Sequence, residues 1–252
     1  MGIGTLSKPA EQEVILKQLG IIVAILGEAR SLTKKPVSKG DVISLDERVM
    51  IQVSGIGPKR AHTAAKTLLE KGATALLSWG TAAGLIPGLS SGSLVLPKIV
   101  IASDESIYAT DAIWHERLCN RLGGHVDLYQ GPLAESATVL SNPEEKVILS
   151  RQSEAIAVDM ESGAIAKLAH DREVPFMAIR AVADPIDAII PHTVLTAIGE
   201  FGELNLRKLI KGLIKNPFEL FPLVRLARNF RIAKMALASV VQLTGINFLV
   251  PQ

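Results

Sequence analysis

The chain is short of most residues that would mark its function at once. It has a single cysteine, Cys119, which excludes a disulfide framework and any zinc site built on thiolates. Its five histidines, at 62, 115, 125, 170 and 192, are scattered without ligand spacing, so no metal is expected. Aromatics make up 4% of the 252 residues, too few for the stacking platforms that hold single strands. The formal charge is only +2, whereas nucleic-acid binders concentrate strong basic charge on one face, so no nucleic-acid partner is expected. No run offers the roughly 20 uninterrupted apolar residues of a spanning helix. The stretch VILKQLGIIVAILG (14–27) carries Glu11 and Glu13 ahead of it, where a signal peptide carries positive charge. A cytoplasmic protein is expected.

What the chain does have is apolar residue, 48% of the total, enough for one sizeable α/β core. Residues 1–20 read as a poorly determined leader. Beyond them come short runs rich in β-formers: 21–27, 49–55, 73–80, 93–103, 155–160 and 176–184. Most are apolar throughout rather than alternating, as in strands of a largely parallel sheet covered on both faces. After Pro58, Ala61, Ala64, Ala65, Leu68 and Leu69 recur at helical spacing up to Gly72. A second helix is expected from about Met160 to His170, with Ala164, Ile165 and Leu168 on one face.

Four stretches carry possible chemistry. SGIGPKRA (54–61) is a glycine turn entering a helix, but Arg60 stands where a dinucleotide fingerprint needs glycine. Its free N–H groups around Gly57 suit an anion, or it is a plain turn. SWGTAAGL (78–85) ends an apolar strand in small residues with the hydroxyl of Thr81. Ligands bind at such strand ends in open sheets, unless this is a loop with little to pack. AVDMESGAIAKLA (157–169) places Asp159 and Glu161 in an apolar run, where an unpaired carboxylate is costly. Glu161, entering the helix, can accept from the two hydroxyls of a sugar diol. Asp159 should lie on the opposite pleat, outside that site, bonding backbone N–H groups. Finally, RAVADPIDAIIP (180–191) sets Asp184 at a strand end before Pro185. Burial there would raise its pKa and let it donate a proton, or it caps a turn.

Together these motifs, in this order and spacing, resemble the purine nucleoside phosphorylase and methylthioadenosine nucleosidase superfamily over about residues 21–192. The resemblance implies a single-domain α/β nucleoside-phosphorylase-like fold, with a central mixed, mostly parallel sheet flanked by helices, in dimers or larger oligomers. It implies Glu161 on the ribose 2′- and 3′-hydroxyls, Met160 beside the sugar, and Asp184 as general acid at purine N7. Gly80 and Thr81 would face ribose and nucleophile, with Val139 and Leu140 bordering the base. No cofactor is implied, only phosphate or water as co-substrate. LGEARSL (26–32) offers both Glu28, which would activate water, and Arg30, which with Gly57 and Thr81 would hold phosphate. Ser78 stands where bacterial phosphorylases tend to place arginine, with Lys59 or Arg60 as substitutes.

Residues 205–235 hold eight Lys and Arg against one acid, Glu219, with apolar residues between them and breaks at Pro217 and Pro222. We read 21–204 as the catalytic domain and 205–252 as its basic amphipathic helical extension. With this extension the chain looks most like bacterial hopanoid-associated phosphorylases, implying removal of adenine from adenosylhopane and a place at the inner face of the cytoplasmic membrane. Segment 205–245 would then contact the bilayer, or pack on the domain or another subunit. The alternatives are a methylthioadenosine/adenosylhomocysteine nucleosidase and a non-catalytic nucleoside- or lipid-binding protein with the same fold.

Overall fold

The computed structural model describes residues 18–251; the expected leader lies outside that range but for its last three residues. The elements in chain order are β1 (Leu19–Val23), α1 (Leu26–Leu32), β2 (Val42–Ser44), β3 (Val49–Val53), α2 (Pro58–Glu70), β4 (Ala75–Gly84), β5 (Leu94–Val95) and β6 (Ile99–Ile101). Then come β7 (Ile107–Ala109), α3 (Ala112–Leu122), β8 (Leu128–Tyr129), β9 (Leu133–Glu135), α4 (Pro143–Ser153), β10 (Ala157–Asp159) and α5 (Ser162–Asp171). The chain finishes with β11 (Phe176–Asp184), α6 (His192–Ala197), α7 (Leu206–Lys215), a 3-10 turn at Pro217–Glu219 and α8 (Leu220–Thr244).

The strands form one mixed sheet in the order β2-β3-β1-β4-β10-β9-β6-β7, with β11 on the other edge of β4 and β5 and β8 beyond it. The central pairs β3–β1, β1–β4 and β4–β11 are parallel, while β10 runs antiparallel to β4. The all-apolar runs follow from burial on both faces. Ile21, Val23, Leu77 and Trp79 face one core layer, closed by α3 and by Ala233, Leu237 and Val240 of α8. Ile22, Leu76, Ala178 and Val182 face the other, closed by α2 and α5.

Several expectations are corrected. The run 21–27 leaves the sheet at Val23 and turns into α1. The run 93–103 is two short strands broken around Pro97, which cannot donate to a ladder. The small residues after Gly80 are not a loop: β4 continues through them to Gly84. Pro222 is no break either, since it sits in the first turn of α8, where a missing N–H leaves no bond unmade.

Candidate active site

The site opens where the sheet splits. β1 ends with Val23 opposite Trp79, and β10 first joins the same edge of β4 with Val158 opposite Ala83. Between them Gly80, Thr81 and Ala82 are bonded to a strand only on the β11 side. A side chain fills the vacancy: Glu28 Oε1 accepts from the Thr81 N–H and Oγ1, both at 2.8 Å. Its Oε2 accepts from the Ile25 N–H at 3.3 Å, tying down the start of α1. A Cβ at Gly80 would lie 2.7 Å from Glu28 Oε1 and would strike Arg180 Nη1, so a side chain there would displace both groups.

The second part is the N-terminus of α5, whose free N–H groups attract acids. Asp159 Oδ1 accepts from the N–H of Glu161 at 3.2 Å and of Ser162 at 3.0 Å, and its Oδ2 also accepts from Ser162 Oγ. Buried Glu135 accepts from the Ala164 N–H at 2.8 Å. This capping holds Glu161 as the turn residue between β10 and α5, with φ −134° and ψ −33°. Strand alternation therefore stops at Asp159. Contrary to the pleat argument, both acids converge on one guanidinium: Arg180 Nε lies 2.6 Å from Asp159 Oδ2, and Nη2 lies 4.0 Å from Glu161 Oε2. The same Nη2 donates to Ser78 Oγ at 2.5 Å and Ser162 Oγ at 3.0 Å. Glu161 Oε1 accepts from the N–H of Gly57 at 2.9 Å, where φ is +103° and glycine is favoured.

The third part is the end of β11. A bulge at Ala183 leaves Asp184 opposite Ala83, next along the sheet from Val158, a lateral step of about 4.8 Å per strand. Asp184 is buried; its Oδ1 has no hydrogen-bond partner, while its Oδ2 faces the ammonium of Lys146. Lys146 Nζ is 2.8 Å from Oδ2 and also donates to the carbonyls of Pro185 at 2.9 Å and Ala188 at 3.0 Å, so its three protons are shared among three acceptors. This lysine comes from α4 and is fully buried.

Burial dominates the electrostatics. It raises the Glu28 pKa against the opposing charge of Arg180, and that of Asp184 against the opposing charge of Lys146. Burial, with the Asp159 charge, pushes Glu161 up to about 8.

Of the other residues singled out, Met160 is half-buried beside Glu161, and Leu140 packs with Ala83 and Val158. Val139 is 42% exposed. The N–H of Ile190 donates to the Ser141 carbonyl at 2.9 Å, which ties the segment after Val139 and Leu140 to the one after Asp184. The residues named for phosphate do not assemble. Arg30 is exposed on α1, and Arg60 pairs with Glu200 at 2.5 Å. The donors of Gly57 and Thr81 are occupied by Glu161 and Glu28. Two residues of the site carry little signal in the sequence. Arg180 was visible only as the one charge inside an apolar strand; nothing in PEEKVILSRQS marked Lys146. Among the described residues, no group of three or more His, Cys, Asp or Glu could hold a metal ion.

Comparison with known proteins agrees with this architecture. Residues 19–215, to the end of α7, match the model of the phosphorylase superfamily. The chain is 27% identical over 188 residues to a 5′-methylthioadenosine/S-adenosylhomocysteine nucleosidase of Buchnera aphidicola, covering 67% of this chain and 80% of that protein. It is 26% identical over 190 residues to one from Shewanella loihica, covering 66% and 83%. Among solved structures, the fold resembles the Neisseria meningitidis nucleosidase in complex with methylthio-immucillin-A, with TM-score 0.66, 23% identity and coverage of 90% and 97%. It also resembles futalosine hydrolase of Helicobacter pylori, with TM-score 0.63, 18% identity and coverage of 90% and 97%.

Proposed function

Since the chain belongs to the phosphorylase superfamily, we propose that it hydrolyses the N-glycosidic bond of an adenine nucleoside of the methylthioadenosine or adenosylhomocysteine kind. The observation that carries this reading is Asp184, a buried carboxyl at a strand end whose Oδ2 faces Lys146 and whose Oδ1 has no hydrogen-bond partner. A purine N7 would supply one. Cleavage leaves positive charge on the sugar and negative charge on the departing base, as in glycoside hydrolysis. Glu28 takes a proton from water, whose oxygen bonds to C1′. The C1′–N bond breaks with its electron pair going to the base, and Asp184 delivers a proton to N7. A raised pKa makes Glu28 the stronger base and lets Asp184 hold its proton more readily. Glu161 accepts from the sugar diol, and its negative charge complements the cation that develops.

Water is favoured over phosphate because the donors that would cradle an anion already serve Glu28 and Glu161. The test is adenine release from methylthioadenosine and adenosylhomocysteine, with and without phosphate. Release with a free reducing sugar in phosphate-free buffer is expected. Strict dependence on phosphate would overturn hydrolysis, and no release from any adenine nucleoside would overturn the reading.

One observation favours a second reading, in which the 5′ substituent is a lipid such as the hopane of adenosylhopane. Exposed apolar side chains of the C-terminal region lie next to the segment that follows Asp184. Faster adenine release from a detergent-dispersed lipid nucleoside than from methylthioadenosine would select this reading. This reading carries with it the expectation of an oligomer of this chain at the inner membrane face.

A further inference from the structure

The basic C-terminal region divides into two parts with different surroundings. From Asn229 on, α8 is a core helix: Ala233, Leu237 and Val240 are buried against the sheet, and Trp79 packs on Phe248 at 4.9 Å. Before it, α7 buries Leu209 and packs Leu213 against α6, but a second ridge points outward. Leu206, Ile210 and Ile214 lie four residues apart, hence on one side of the helix, and all three are exposed. The apolar surface continues through the turn with Phe218, 93% exposed, and Phe221, 85% exposed. Exposed Arg207, Lys208, Lys211, Lys215 and Arg228 surround it. Glu219 is the only acid between Leu204 and Thr244, and its carboxylate is turned inward, accepting from the Thr193 N–H at 2.9 Å and Oγ1 at 2.6 Å.

We propose that this ridge, from Leu206 to Arg228, is a docking surface for a bilayer containing anionic phospholipid. The occupant follows from charge and shape. Pairing with a second copy through a two-fold axis would oppose the patch to itself, setting these cations against the same cations, which is costly. A bilayer offers the complement: anionic headgroups for the Lys and Arg, and the acyl boundary for an apolar face. Phenylalanines that project almost completely from the protein fit a fluid surface, which needs no matching pockets. No helix of the described residues is long and apolar enough to cross a membrane, and the proposed contact is with the bilayer surface. The docked face lies beside the site. A cavity of about 260 Å³ separates Phe221 and Leu226 from Ala188 and Ile189, and Arg225 of α8 bonds Asp187 at 2.6 Å, three residues past Asp184.

The test is co-sedimentation of the full chain with vesicles, which is independent of the catalytic reading. Mixed phosphatidylcholine–phosphatidylglycerol vesicles should bind the protein at least about tenfold better than phosphatidylcholine alone, with the advantage lost in concentrated salt. The double variant Phe218→Ser/Phe221→Ser and the double variant Lys211→Glu/Lys215→Glu should each lower binding about tenfold or more, while melting temperature and adenine release from a soluble nucleoside stay unchanged. Failure of the wild-type protein to bind, or equal binding by all three proteins, overturns the proposal. So does light scattering in which the phenylalanine variant turns an oligomer into a monomer, for the ridge is then a contact between copies.

Discussion

At the scale of single residues, the site is an arrangement of acids around two buried cations. Glu161 gives the clearest pH signature. Its carboxyl titrates at about 8 in the folded chain against an ordinary 4.5, so between those values the native state binds a proton the unfolded chain does not. Stability from this group is fully present below about pH 4.5 and is lost as pH rises through 8. Glu161→Gln should flatten that decline, measured as denaturant midpoints from pH 5 to pH 9. Hydroxyl donors favour the carboxylate, so binding of an unreactive nucleoside analogue near pH 7 should release a proton. Titration calorimetry in buffers of different ionisation enthalpy would detect it; no buffer dependence would refute the assigned diol contact. Asp184→Asn should cut adenine release by about 10²–10⁴-fold in a protein that still folds. The charge of Lys146 holds the pKa of Asp184 down. Lys146→Met should therefore shift the alkaline limb of the kcat profile upward, while leaving two buried carbonyls unsatisfied at about 1–3 kcal/mol each. Glu28, Glu161, Asp184 and Thr81 were legible because each stands at the end of an apolar run, where only function or capping explains a polar group. Arg180 and Lys146 were not. Their meaning depends on partners up to 102 residues away in sequence, such as Ser78, and local pattern carries no such information.

At the scale of elements, what could be read depended on how continuous the apolar signal was. The central strands and α2 stand out, since burial on both faces writes long apolar runs and helical spacing follows Pro58. α1 leaves little trace in the sequence: seven residues form it, and much of its anchoring is the Glu28 carboxylate rather than a wide apolar face. α4 has Asn142 as its cap, accepting from the Glu145 N–H at 3.0 Å, but little apolar periodicity to announce it. The basic tail reads as one amphipathic extension because charge is spread along all of it, whereas burial changes sharply at Asn229. That division predicts unequal costs. Leu237→Ala should destabilise the chain by about 2–5 kcal/mol, and Leu206→Ala by less than about 0.5 kcal/mol, as chemical denaturation would measure.

At the scale of the whole molecule, the groups that meet in the site come from α1, the start of α2, β4, the β10–α5 junction, α4 and β11. No stretch of chain holds a functional fragment, so activity and global unfolding should be lost together in a denaturant series monitored by adenine release and by circular dichroism. Loss of activity well before unfolding would show instead that the site opens as a local unit. The bulge at Ala183 has a consequence of its own. It puts the two halves of β11 one residue out of phase, so Arg180 keeps step with Gly80 while Asp184 stands opposite Ala83. In a strand of the same length paired without the bulge, Ala183 would stand opposite Ala83 and the acid would fall one step further on. Grafting such an uninterrupted strand into this chain, however similar letter by letter, would carry the acid past the place it now holds beside Ala83.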